Sequence, residues 1–284
     1  MASPSATVPG SVIEIPPGAT EERVLDYDVA GEIPHTVVNV GAGARVSILE
    51  RLHGATTNDV TAVTEINAAE NAHVSYTVLE TVAHGTTVTS RRTSNAAAGA
   101  HVAWNVALLG HGTVTDEIVA EQNGGGTECE VAGLFFPVAR EVVQLTTEVR
   151  HNVPHTTSQT VVRSIAAGRG RGRYFGNIRI APHAHGSEAS LRDDTLLIGK
   201  DAKIDAIPAL EIAANDVKAF HGATVGAVDE EHIFYLMSRG IERDAAEKLI
   251  ALGFFEPVVA RFPDEALRAE VRALLEEKLA GARR

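Results

Sequence analysis

The sequence has little of what several functional classes require. Cys129 is the only cysteine in 284 residues, so this chain alone makes neither a disulfide nor a four-thiolate metal site. It carries 25 Lys and Arg against 37 Asp and Glu, a net charge of −12, which argues against nucleic-acid binding because an acidic surface repels phosphates. No phosphate-loop, GxSxG or HExxH motif is present, so hydrolase and ATPase activities have no motif to support them.

Long apolar runs are also lacking. No stretch approaches 18 consecutive apolar residues, so no transmembrane helix is expected. The N-terminal MASPSATVPGS has neither a basic region nor an apolar segment, which predicts no signal peptide and a cytoplasmic protein. Aromatic residues make up 5% of a chain that is 44% hydrophobic, so the core must be built from Val, Ile, Ala and Leu.

What is present is a repeat. Four similar segments begin at Gly43, Asn71, Gly99 and Gly126, at intervals of 28, 28 and 27 residues. A fixed period of this length is typical of a solenoid. Within each unit Val, Thr and Ile alternate with polar residues over about seven positions, the period-2 pattern of a strand with one buried face.

Two strands per unit without a crossover helix predict an all-β parallel β-helix. Right-handed winding is the default for parallel crossovers. We expect a flexible segment over residues 1–21, the β-helix over 22–226 and a small C-terminal α-helical domain over 227–284. Cys129, which alternates with two glutamates, is predicted to face the core as an inert thiol.

The C-terminal region changes to a helical pattern. Acidic residues, a run of apolar positions and a terminal glycine predict one helix over 229–239 and a second over 242–252, ending before Gly253. A third begins near Pro263 and ends before Gly281. So short a tail buries little by itself, so we expect it to dock on the solenoid end or on a partner.

His-Gly pairs recur with the repeat, at His53-Gly54, His84-Gly85 and His111-Gly112. Recurring turn chemistry accounts for them most simply, because glycine suits tight corners. Histidines stacked at successive corners as a metal site remain the alternative reading.

A histidine also stands where the strand pattern gives way to helices. One 28-residue coil before His221 is Asp193, so a regular period would stack the two side chains on adjacent coils. A carboxylate and an imidazole make a plausible half-site for iron, with the other half supplied by a second chain. A structural pair of a capping histidine and an acid is an equal alternative.

The same region carries a family likeness. The run from Ile207 to Phe254, IPALEIAANDVKAFHGATVGAVDEEHIFYLMSRGIERDAAEKLIALGF, resembles the C-terminal signature of the SufB/SufD family of iron–sulfur cluster assembly scaffolds. GLFFP, HNVPHTTSQTVVRSI and GRGRYFGNIRIAPHA extend the likeness over roughly residues 125–280. The resemblance implies a right-handed parallel β-helix with a C-terminal helical domain, in agreement with the repeat.

It also implies partners. Family members pair through the end of the β-helix, and their helical domains hold a SufC-like ATPase. By position, His221 matches the interface histidine of SufD-type chains, while Gly222 and Asp193 stand where SufB-type chains have glutamate and a cluster-building cysteine. The chain is therefore identified as SufD-like, a non-enzymatic subunit at whose SufB-like interface an iron–sulfur cluster or iron is held transiently.

The resemblance further implies that the first two C-terminal helices form the ATPase-docking surface, with Phe234, Tyr235 and Arg239 exposed on it. Two other functions stay open. One is a self-associating homodimer that carries iron without a SufB-like partner. The other is a carbohydrate-active β-helix enzyme, which the scattered acids and the single tryptophan disfavour.

Overall fold

The computed structural model of the chain describes residues 10–282. They form sixteen strands in two parallel eight-stranded sheets, followed by three helices. The first sheet contains the odd-numbered strands β1 Gly10–Ile15, β3 His35–Val40, β5 Asp59–Ala68, β7 Thr87–Ala96, β9 Thr113–Gln122, β11 Val142–His151, β13 Arg171–Ile180 and β15 Lys203–Ile212. The second contains the even-numbered strands β2 Thr20–Asp28, β4 Arg45–Gly54, β6 His73–Val82, β8 His101–Leu108, β10 Glu128–Phe135, β12 Thr157–Ala167, β14 Ser187–Ile198 and β16 Val217–Ala227.

This arrangement confirms the predicted parallel β-solenoid with a helical C-terminus. Each coil contributes one strand to each sheet, and strands pair in parallel with those of the next coil. In the second sheet Arg45 lies opposite His73, His73 opposite His101, and His101 opposite Glu128. The repeat in the sequence therefore corresponds to the strand register.

The corners explain the spacing of the repeat. Gly43, Asn71, Gly99 and Gly126 have φ values of 66°, 56°, 66° and 73°, in the left-handed region where glycine and asparagine are favoured. Each donates its backbone N–H to a carbonyl of the next coil, as Gly43 does to Glu70 at 2.9 Å. These corners thus stack as the strands do.

The described part of the solenoid begins earlier than predicted. β1 starts at Gly10 and β2 at Thr20, so residues 10–21, expected to be flexible, belong to the first coil. The sequence pattern missed them because only Ile15 of β1 is fully buried, and Thr20–Val24 at the end of the stack is charged and largely exposed. Residues 1–9 of the predicted segment lie outside the described residues.

The helices are α1 Glu230–Ser238, α2 Arg243–Val259 and α3 Glu265–Gly281. The predicted end of the second helix before Gly253 is wrong, since α2 continues through Gly253 and Pro257. A proline inside a helix removes one hydrogen bond and costs about 3 kcal/mol. Burial of Phe255, Val258 and Val259 offsets that cost, because each fully buried apolar side chain contributes about 1.5–3 kcal/mol.

α2 and α3 pack on the side of the solenoid. They do not pack on its end, which was one of the two docking places expected for the helical tail. Phe255, Phe262 and Val271 share a buried cluster with outward-facing residues of the second sheet, among them Leu134 and Ile165. The middle strands of that sheet are therefore buried on both faces, as the run Val131–Phe135 shows. None of the described helices is long and apolar enough to span a bilayer.

Asp264 closes the N-terminus of α3, and its Oδ1 accepts a hydrogen bond from the Leu267 N–H at 2.8 Å. We expect Asp264→Ala to lower the free energy of unfolding by about 1 kcal/mol, since the cap is lost. Urea denaturation measures the change. Asp264→Asn is the matched control and should stay near the native value, because asparagine also caps; equal stability of Asp264→Ala and the native chain would contradict the prediction.

Candidate functional site

The C-terminal end of the solenoid is one of the two open ends of the sheets. Within residues 10–282, β15 pairs with a strand on one side only, and so does β16. Apolar side chains are exposed along these two strands, with Phe220 at 60%, and the others are Ile207, Ile212 and Val225. An edge strand offers unpaired backbone groups, and natural proteins cover or blunt such edges.

Asp193 lies on β14, one strand in from this edge. It is fully buried, and neither carboxylate oxygen has a hydrogen-bond partner among the described residues. Burial raises the pKa of Asp193 to about 7, and the negative charge of Asp194 adds to the effect. A buried carboxylate without a partner is costly, so a cation or donor that reached it would be bound favourably.

The neighbouring Asp194 faces the opposite side of the strand and is fully engaged. It accepts hydrogen bonds from Arg192 and Thr224, each at 2.8 Å, and lies 3.3 Å from Arg163. These partners lower the pKa of Asp194, although burial alone would raise it. The two adjacent carboxyl groups thus have opposite pKa shifts, and within the described part of the chain only Asp193 lacks a hydrogen-bond partner.

His221 lies on β16 and is exposed. The strand register places it opposite Leu191, while Asp193 lies opposite Ala223. The predicted direct stacking of Asp193 with His221 is therefore wrong by two residues, because the last coils are longer than the 28 residues assumed. The two side chains still lie on the same face of the sheet, on adjacent strands, as diagonal neighbours.

Helix α1 presents a second exposed surface. Phe234 is 74% exposed, Tyr235 is also exposed, and the Arg239 guanidinium lies 5.3 Å from the centre of the Tyr235 ring. Ile233 is the buried residue of this helix, and the Asp229 side chain caps its start by accepting the Glu231 N–H at 2.9 Å. All three residues predicted for partner binding thus lie together on the surface; their role stays a prediction.

A family model described as the SufBD core domain of SUF-system FeS cluster assembly matches residues 23–254. The chain belongs to the SufBD family. The match runs from β2 into α2 and therefore includes the solenoid end, Asp193, His221 and all of α1.

Curated relatives agree with this membership. The SufBD chain is 32% identical over 276 residues to the iron-sulfur cluster assembly protein SufD of Escherichia coli, covering 92% of this chain and 63% of that protein. It is 31% identical over 221 residues to a SufBD family protein of Mycobacterium bovis, and the alignment covers 78% of this chain and 26% of that protein. It is 27% identical over 261 residues to a SufBD family protein of Staphylococcus epidermidis, and the alignment covers 91% of this chain and 56% of that protein. The chain thus spans less than two thirds of the length of these relatives.

For this SufBD chain the structure confirms one predicted feature and adds one that the sequence did not indicate. Cys129, predicted to face inward, is buried in the core, and burial raises the pKa of its thiol to about 12. Glu141 was missed altogether; it lies beside His84 and His111, two histidines assigned to turn chemistry. No spacing in the sequence indicates this grouping, since Glu141 comes from a corner whose sequence does not repeat the His-Gly pattern.

Proposed function

We propose that this chain is a SufD-like, non-enzymatic scaffold subunit whose solenoid end docks a SufB-like chain, with iron or a nascent cluster handled at the shared interface. The observation that carries the proposal is the end of the solenoid itself. Among residues 10–282, a pair of edge strands with one open side and exposed apolar residues lies directly beside a buried carboxylate that has no hydrogen-bond partner.

The edge strands favour a partner that supplies strands. A second β-solenoid that adds its terminal strands to β15 and β16 would satisfy their open backbone groups and cover Phe220 and Val225. Strand addition of this kind derives affinity from main-chain hydrogen bonds and specificity from side-chain contacts. The membership in the SufBD family and the likeness to SufD favour a SufB-like chain as that partner.

Asp193 and His221 fit iron as the cargo of this interface. Carboxylate oxygen and imidazole nitrogen are both ligands for ferrous iron, and the two side chains share a face on adjacent strands. Two ligands leave several positions open, so the partner chain or sulfide must complete the coordination. Bound iron would also neutralise the buried charge of Asp193.

The surface of α1 supports a second contact. Phe234 and Tyr235 are large, mainly apolar side chains, and their exposure to water is unfavourable unless a partner covers them. Arg239 lies against the Tyr235 ring. Aromatic residues and arginine are the residue types that dominate protein interfaces. We assign this surface to a SufC-like ATPase, whose hydrolysis of ATP would move the paired subunits.

Replacing Phe220 with glutamate tests the docking end. Phe220→Glu should weaken binding of the SufB-like partner by about 30-fold or more, the effect of losing an aromatic hot spot of about 2 kcal/mol. Val12→Glu is the matched control, because Val12 is equally exposed on β1 at the other end of the solenoid. Surface plasmon resonance measures both; equal affinity of the native chain and Phe220→Glu would overturn the proposed docking end.

The role of His221 is tested separately by iron and sulfide analysis of the complex purified with its SufB-like and SufC-like partners. We expect His221→Ala to assemble normally and to carry less iron and sulfide than the native complex. His232→Ala, an exposed histidine on α1, should load as the native complex does. Equal loading of His221→Ala would mean that the histidine is structural, and a size measurement of the chain alone distinguishes self-association from pairing with SufB.

A further inference from the structure

Three successive corners of the solenoid bring together side chains that the sequence separates widely. His84 lies between β6 and β7, His111 between β8 and β9, and Glu141 between β10 and β11. Stacking of the coils places these corners one above the next. The three residues border an open surface depression of about 420 Å³, on the opposite side of the coil from the stacked glycine corners.

The three side chains are close enough to share a ligand. His111 Nδ1 lies 2.6 Å from Glu141 Oε1, and the rings of His84 and His111 are 4.8 Å apart between centroids. One possible ligand atom from each residue lies within 4.8 Å of the other two. Exposure is graded, since Glu141 is buried, His111 is half-buried and His84 is exposed.

The surrounding structure fixes Glu141 in place. Its Oε2 accepts the Val138 N–H and the Lys278 ammonium, each at 2.8 Å. Lys278 comes from α3, is buried, and also donates to the Gly110 carbonyl. Because these donors hold Oε2, Oε1 is the oxygen directed at His111.

The backbone holds His111 as well. Its N–H donates to the Val82 carbonyl at 2.6 Å across adjacent coils. Two of the three groups are thus positioned before any ligand arrives, which lowers the entropy cost of binding. His84 is exposed and can adjust its rotamer.

We propose that His84, His111 and Glu141 form a binding site for a divalent first-row transition-metal ion. Two imidazoles and one carboxylate are the donor set that such ions prefer, with Zn²⁺ and Fe²⁺ as the common cases. Ligand atoms of one tetrahedral ion at ~2.0–2.1 Å lie ~3.3 Å apart. His111 Nδ1 and Glu141 Oε1, which are 2.6 Å apart in their hydrogen bond, would separate to that distance when the ion replaces the shared proton, and the exposed His84 can change rotamer to approach them.

Positive charges nearby set the strength of the site. Arg140 and Arg169 border the same depression, and Lys278 lies behind Glu141. Lys278 faces a second buried carboxyl group as well, that of Glu80. The ammonium donates to Oε2 of Glu141, which leaves Oε1 able to accept a cation.

This site is independent of the proposed scaffold role. It uses none of the residues at the solenoid end and would exist whether or not a SufB-like chain docks. The competing account is a carboxylate–histidine hydrogen bond that only links neighbouring corners. Metal binding and this structural link make different predictions for His84, whose removal leaves the His111–Glu141 hydrogen bond intact.

The test is titration of the full-length chain, freed of metal and without a histidine tag, with Zn²⁺ against a chromophoric chelator and with Co²⁺ by visible absorption. We expect one tight equivalent, and His84→Ala and Glu141→Gln should each weaken it at least ~10-fold, because losing even a residue that only orients a metal ligand costs about 10–100-fold in affinity. His84→Ala is the decisive variant, because an exposed residue can be removed without threatening the fold.

His53→Ala is the matched control. His53 belongs to the equivalent His-Gly pair of an earlier coil and is hydrogen-bonded to a single carboxylate, Asp26, at 2.9 Å. It should leave affinity and the Co²⁺ spectrum unchanged. Absence of a stoichiometric equivalent in the native chain, or equal affinity of His84→Ala, would overturn the proposal.

Discussion

Replacing Arg92 with methionine is expected to lower the free energy of unfolding by about 3–5 kcal/mol. That is the typical loss when one partner of a buried ion pair is removed and the remaining charges are left uncompensated. A loss of this size is a large fraction of the total stability of most domains, which is about 5–15 kcal/mol. Urea denaturation followed by circular dichroism measures it.

The geometry behind this prediction is a charged cluster inside the solenoid. Arg92 Nη2 lies 2.6 Å from Glu50 Oε1, and Nη1 lies 2.5 Å from Asp116 Oδ2. The Tyr76 hydroxyl donates to the other oxygen of Glu50. All four residues are buried, with the Arg92 side chain 1% exposed, so methionine would leave two carboxyl groups without their cation.

Arg91→Met provides the control on the same strand. Arg91 points outward, is 66% exposed, and lies 3.6 Å from Glu117; exposed ion pairs contribute about 0–1 kcal/mol. The triple variant Arg92→Met, Glu50→Gln, Asp116→Asn should recover part of the loss, because it removes the stranded charges together. Equal stability of Arg92→Met and Arg91→Met would contradict the account of the cluster.

Asp193→Asn is expected to raise the free energy of unfolding of the isolated chain, whereas Arg92→Met lowers it. The pKa of Asp193 is raised to about 7, against an ordinary value near 4. Ionising this group in the folded chain therefore costs up to about 4 kcal/mol at high pH, at about 1.4 kcal/mol per pKa unit. The asparagine variant does not ionise and is spared that cost.

The pH window follows from the direction of the shift. Below pH ~4 the carboxyl is protonated in both folded and unfolded chains, so native and variant differ little from this cause. Between pH ~4 and ~7 the native chain loses stability while the variant does not, and above ~7 the difference is constant. Urea denaturation in the presence of a chelator, at pH 4.5 and at pH 8, measures the two ends.

Asp194→Asn is the natural comparison for Asp193→Asn. It removes the charge that Arg192 and Arg163 contact, so it should destabilise the chain at pH 8. A destabilising Asp193→Asn at pH 8 would mean that the carboxylate has a partner in the folded chain. A stabilising one would identify Asp193 as a group kept at the expense of stability, as is common at functional sites.

Much of the fold could be predicted because it repeats. Gly43, Asn71 and Gly99 mark corners that need a left-handed backbone, and the strands between them alternate buried and exposed residues, as in β5. Such patterns are local, so a single chain displays them. The first C-terminal helix was found for the same reason, since Asp229 is its N-cap.

The predictions that failed depend on contacts between distant residues. α2 passes through Gly253 and Pro257 because Phe255 is buried against the second sheet, and nothing near Gly253 in the sequence shows that surface. The offset between Asp193 and His221 arises from coils that lengthen toward the C-terminus, where corner residues are added without disturbing the strands. A two-residue offset keeps both side chains on one face, since the strand period is two.

The sequence by itself determined the period, the strand alternation, the corner residues and the membership that the C-terminal motifs indicate. Only the tertiary structure decided which polar groups meet. It forms the Arg92 cluster inside the solenoid, leaves Asp193 without a hydrogen-bond partner over the range that the structure describes, and places Glu141 beside His84 and His111. The physical reason is that hydrophobic alternation and corner conformation act over a few residues, whereas charge pairing depends on register between coils about 24 to 42 residues apart.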